Sequence, residues 1–154
     1  MSEFDDLEEL RDILHEGGHS LVVRNRGELR TFDGRDVDDL YRLYREEPDF
    51  LRGALVADKV VGKAAACLIV AAGVSGVHTD VISAEARRLL LWSVKLPDGV
   101  ATVDGIANRM RTGSCPMERF LRDCHSAPEC LTRLEEWMGM TRERRMGWIS
   151  ANVS

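Results

Sequence analysis

The stretch that decides the fold is GALVADKVVGKAAACLIVAAG, residues 53–73. Its first part, GALVAD, is short and almost wholly apolar, as a strand covered on both faces should be. The second part is Ala-rich, nearly all apolar and stopped by Gly73, which reads as a buried helix. Between them stand Asp58 and Lys59 at the strand's end, and Gly62 and Lys63 at the helix start. Ligands of open α/β sheets bind at the carboxyl ends of strands, and helix N-termini offer free N–H groups and partial positive charge.

Downstream, GVHTDVIS (76–83) reads as another strand and SAEARRLLLWSV as another helix. Residues 95–111 leave room for a short fifth strand and a helical turn. PMERFLRDC, from Pro116, and APECLTRLEEWMGM, from Ala127, read as two further helices, and the tail from Glu143 shows no clear period. Upstream, Leu7, Leu10, Ile13 and Leu14 recur at helical spacing over residues 3–15. LVVRN-RG-ELRTF reads as a β-hairpin turning at Gly27. DGRDVDDLYRLYREEP reads as a helix closed by Pro48. Strands alternating with helices predict an α/β protein with right-handed crossovers. The opening hairpin makes the sheet mixed, with one antiparallel pair and the rest parallel. The expected organisation is an N-terminal helix (1–19), one α/β domain (20–140) and a C-terminal tail (141–154).

The chain has 154 residues and a net charge of −5, which excludes a dedicated nucleic-acid binder resting on a broad basic surface. Its longest apolar run, AAACLIVAAGV, falls well short of the roughly 20 residues of a membrane span. The acidic N-terminus lacks the basic and apolar regions of a signal peptide. The four cysteines lack a disulfide-framework spacing, and the expected location is the cytoplasm, with free thiols.

Two motifs imitate chemistry. HEGGH (15–19) matches the zinc-protease pattern, but two glycines occupy its centre, at a cost of about 1 kcal/mol each to a helix. His78 reads as a lone structural histidine, and Cys124 and Cys130 lack a zinc-knuckle spacing. The expectation is no metal and no cofactor. DKVVGKAAA has a P-loop's Gly-Lys, but Ala57 stands where the first glycine is needed and Ala64 where the magnesium-binding hydroxyl is needed.

RTGSCPMER (111–119) carries the remaining candidate. With Cys115 as N-cap, Pro116 falls at N1 and Glu118 at the capping-box position. A thiol at such a helix start should have a lowered pKa and a larger thiolate fraction.

GALVADKVVGKAAA, the helix start ISAEA and NRMRTGSCPME together resemble a prokaryotic family, domain of unknown function 1893, within the cytidine-deaminase-like superfamily. The resemblance covers about Leu21 to Arg122. It implies a three-layer α/β/α fold, with a five-stranded mixed sheet opening in an antiparallel hairpin. It also implies that the helices starting at DKVVGKAAA and TGSCPME meet at their N-termini. Zinc deaminases carry H-x-E or C-x-E and P-C-x-x-C there. This chain has Asp58, Lys59 and Lys63 on the first helix start. On the second it has Cys-Pro in place of Pro-Cys, and Glu118 where the second cysteine would stand.

The first functional expectation is a metal-independent enzyme acting on a nucleobase- or nucleotide-like small molecule. Cys115 would be the reactive thiol, activated by Lys59 or Lys63, with Asp58 or Glu118 in proton transfer. Lys59, Gly62, Asn108, Arg109, Thr112, Gly113 and Ser114 would bind substrate. The alternatives are a non-catalytic nucleotide- or anion-binding module and a protein-interaction domain using the arginine-rich C-terminus. Oligomerisation is left open.

Overall fold

The computed structural model describes residues 3–97, 100–105 and 115–152. Helix α1 (Glu3–Glu16) leads into the hairpin β1 (Leu21–Asn25) and β2 (Glu28–Phe32). Its two-residue turn has positive φ at Arg26 (51°) and Gly27 (78°), the twist that suits a hairpin. Then follow α2 (Asp38–Glu46), α3 (Pro48–Leu51), β3 (Leu55–Val61), α4 (Lys63–Ala72), β4 (Gly76–Ser83), α5 (Ala84–Leu90) and β5 (Ala101–Val103). The chain continues through α6 (Pro116–Phe120), α7 (Ala127–Gly139) and α8 (Arg142–Asn152).

The five strands form one mixed sheet in the order β2-β1-β3-β4-β5. The expected single antiparallel pair becomes two, since β1 runs antiparallel to both β2 and β3, while β3, β4 and β5 are parallel. Alternation along β1 shows the layering. Val22 faces Leu10 and Leu14 of α1, whereas Leu21 and Val23 join the larger core with α2, α4 and α7. The arrangement is the three-layer α/β/α fold, with α1 on one face and the α4 side on the other.

Local signals explain most boundaries. Gly73 adopts the left-handed conformation (φ 73°) and caps α4, its N–H donating to the carbonyls of Ile69 and Val70. The Ser83 hydroxyl caps α5 and the Ser126 hydroxyl caps α7. Three expectations need correction. β3 does not stop at Asp58 but runs on to Val61, so Lys59 is a strand residue. Pro48 does not merely close α2, because it opens the short α3 as its first residue. The tail is helix α8, and Trp148 ties it to Phe120 and Trp137, with ring centroids 5.1 and 5.7 Å away. The N-terminal helix is equally integral, with Leu7, Leu10 and Leu14 fully buried.

Candidate functional site

A pocket of about 670 Å³ opens on the α4 face, over the C-terminal half of β3. Its walls come from β3, the start of α4, the start of α6, and helices α7 and α8. Apolar groups dominate, among them Val60, Ala64, Ala65, Met117, Trp137 and Ile149. Of the expected residues, Asp58, Lys59, Gly62, Cys115 and Glu118 all line this one pocket. Lys63 does not; it lines a second recess of about 320 Å³, which it shares with Glu118. Asn108, Arg109, Thr112, Gly113 and Ser114 lie outside the described residues.

The hydrogen bonds revise the roles expected for Lys63 and Glu118. Lys63 is only 6% exposed, and its ammonium donates to the carbonyls of Leu121 (3.0 Å), Arg122 (2.9 Å) and Cys124 (2.6 Å). An ammonium has three hydrogens, and all three are occupied. It is thereby fixed against the turn that follows α6, and has no donor left for a substrate. Glu118 reaches the other way. Its carboxylate accepts from the backbone N–H of Lys63 (2.6 Å) and of Ala64 (3.0 Å). The α4 N-terminus, expected to hold an anionic ligand, is filled by the protein's own carboxylate. Burial still pushes Glu118 above its ordinary pKa, although the Ala64 and Lys63 N–H groups and the Lys63 charge work against it.

Cys115 stands at the N-cap position of α6 as expected, with Pro116 at N1. Its acidity is opposite to the expectation. Burial raises the thiol's pKa, and the neighbouring Glu118 and Met117 N–H groups offset only part of that. α6 is only five residues long, so its dipole has little to add. Lys59 is exposed on β3 and Lys63 is buried in α4, so the two cations do not share a face.

Asp58 is the unusual group of the pocket. Burial lifts its carboxyl to about 7, against hydrogen bonds from the Val60 and Lys59 backbone, with the Asp80 charge adding to the rise. The Val60 N–H lies 3.3 Å from its Oδ1. Asp36 and Asp38 also line the pocket, so four acids face two bases, Lys59 and Arg145. Sequence reasoning missed the contribution of α7 and α8. Arg145 donates to the Trp137 carbonyl (2.9 Å), and its guanidinium lies 5.3 Å from the Trp137 ring centroid. The only sequence signal for this wall was the apolar stripe of α7.

Two further thiols are structural in setting. Cys67 is buried and donates to the Ala64 carbonyl (3.1 Å), and burial raises its pKa. Cys130 is buried too, with a pKa raised to about 11.

Fold and site together define an α/β protein with an acidic-rimmed, apolar pocket at the carboxyl edge of a mixed sheet. The chain belongs to the family described as a domain of unknown function, DUF1893, which it matches over residues 9–138. The match extends beyond the motifs at both ends, into α1 and through most of α7. Among solved structures, it is similar to a DUF1893 family protein (TM1506) from Thermotoga maritima. The two share 21% identity with a TM-score of 0.74, over 85% of this chain and 88% of that one. At that identity the likeness shows the fold. No curated protein matches the sequence.

Proposed function

We propose that this chain is a small-molecule-binding protein whose pocket takes a neutral or weakly basic heterocycle of nucleobase size. The carrying observation is the roughly 670 Å³ cavity, with largely apolar walls that include Trp137 and with the Asp58 carboxyl among the charged groups that line it. Ligand pockets of this kind combine apolar lining with sparse polar anchors that fix orientation. Trp137 contributes an aromatic surface to the wall, and Asp58 offers a hydrogen-bonding carboxyl that exchanges its proton near neutrality.

The charge balance argues against nucleotides and other anions. Four acids line the pocket, and Glu118 occupies the α4 N-terminus that a phosphate would need. The hydrogen bonds around Lys63 and the raised pKa of Cys115 argue against thiol catalysis. One observation favours a second reading, an enzyme with Asp58 as general acid or base. A carboxyl near pKa 7 suits proton transfer at neutral pH. A cytoplasmic location belongs to the same account, supported by four free thiols.

The test is calorimetric titration with free cytosine, adenine, guanine and uracil, beside their nucleoside 5′-monophosphates. Saturable binding of at least one free base, lost in Ala65→Trp and weakened in Asp58→Ala, is expected. Preference for the monophosphates, or no binding by any base, would overturn the reading. Slow conversion of a bound base by the wild type but not by Asp58→Asn would select the enzyme.

A further inference from the structure

On the sheet face opposite the pocket, two histidines converge on one carboxylate. His15 stands in the last turn of α1, and its Nε2 lies 2.9 and 2.8 Å from the two oxygens of Asp80. His78 Nε2 lies 3.0 Å from Asp80 Oδ1. The three side chains each offer a ligand atom, and these atoms all lie within 4.8 Å of one another. Their placement follows from the fold. His78 and Asp80 are two apart on β4 and share a face. His78 is the register partner of Ala57, which packs on Leu10 and Leu14 of α1. Helix α1 therefore delivers His15 from above to the face on which β4 presents the other two.

We propose that His15, His78 and Asp80 form a binding site for one divalent transition-metal ion of the zinc class. Two imidazoles and a carboxylate are a donor set for such ions. The rings are nearly perpendicular (79°) with centroids 6.3 Å apart, so both direct the same nitrogen into one small space without stacking. The negative end of the α1 dipole adjoins His15 and favours a cation. Donors around a tetrahedral ion with bonds near 2.0 Å stand about 3.3 Å apart. The present Nε2–oxygen separations of 2.8–3.0 Å need to open by only a few tenths of an ångström. His15 and Asp80 are partly exposed, which leaves water free to take the fourth position.

In the metal-free site each ring donates an Nε2 hydrogen to Asp80. Binding turns both Nε2 lone pairs onto the ion, with the hydrogen of a neutral ring moved to Nδ1 through solvent. A doubly protonated ring gives up one proton to the buffer. The HEGGH motif has no part in this site beyond its first residue, since His19 Nδ1 is paired with Asp33 Oδ1 at 2.7 Å. The proposal departs from the expectation of no metal, with a ligand set that joins residue 15 to residues 78 and 80.

The experiment is titration of the chelator-treated, reduced full chain with zinc chloride, read by calorimetry and by imidazole nitrogen NMR. One ion per chain is expected, with the largest shifts at Nε2 of His15 and His78. His15→Ala should weaken binding at least about tenfold, and the partly exposed position of His15 lets this variant fold. Asp80→Asn is a second variant with the same expectation. Cys115→Ser and Cys124→Ser should leave binding unchanged. Absence of binding, or binding lost in Cys124→Ser and kept in His15→Ala and Asp80→Asn, would overturn the proposal.

Discussion

Lys63 and Glu118 hold each other's helices. The Lys63 ammonium holds the turn that follows α6, and the Glu118 carboxylate caps the start of α4 through the Lys63 and Ala64 N–H groups. Each residue sits in the first turn of its own helix and serves the other. This exchange fixes the two pocket walls relative to one another. It also removes two charged side chains from any direct role with a ligand.

Breaking the exchange should cost stability. Glu118→Ala orphans two N–H groups and Lys63→Met orphans up to three carbonyls, so each should lose about 2–4 kcal/mol. The double variant should lose less than the sum, because the two residues share one network. Urea denaturation of the four proteins measures this directly.

The Cys115 thiol should be sluggish. Its pKa is raised by burial, so its alkylation by iodoacetamide should have a midpoint above that of an ordinary thiol. Mass spectrometry of the native protein across pH reads the rate at each cysteine. Base binding should persist in Cys115→Ser.

Asp58 should make the fold less stable as the pH rises. Its folded pKa, about 7, lies above its ordinary value of 3.8, so the native state holds the proton more tightly than the unfolded chain. The stabilisation is complete below about pH 4 and is lost as the pH climbs through 7. Glu118 acts in the same direction. Thermal melts of the wild type against Asp58→Asn isolate the Asp58 part, and the variant should gain on the wild type between pH 5 and 8.

Helix α8 should matter to the pocket. Trp148 packs edge-on against Phe120 and Trp137, and α8 contributes Arg145 and Ile149 to the wall. Trp148→Ala should destabilise by about 2–3 kcal/mol, toward the low end for a large aromatic because the ring is only partly buried. It should also weaken base binding, which calorimetry would show.

The sequence exposed those parts of the fold that rest on local periodicity. The apolar run 54–57, the Ala-rich run ended by Gly73 and the Arg26–Gly27 turn each carry their own signal. The antiparallel pairing of β1 with β3 carries none, because register between distant strands is set by the whole sheet. Helix α8 was also hidden, since its polar sequence becomes helical by docking Trp148 rather than by an apolar stripe. At the site, Gly62 and Cys115 were legible as the residues that precede two helices, whereas Asp58 lies inside β3 rather than at the strand end its sequence suggested. The role of Lys63 was not legible, because a lysine at a helix start looks the same whether it meets a ligand or three carbonyls. His15 and His78 lie 63 positions apart, a convergence that no linear spacing announces.

The most direct measurement is backbone and indole NMR of the protein titrated with the tightest-binding free base. The account predicts saturable shifts concentrated at Asp58, Ala64, Ala65 and the Trp137 indole N–H. Shifts confined to residues away from this pocket, or none at saturating base, would contradict it.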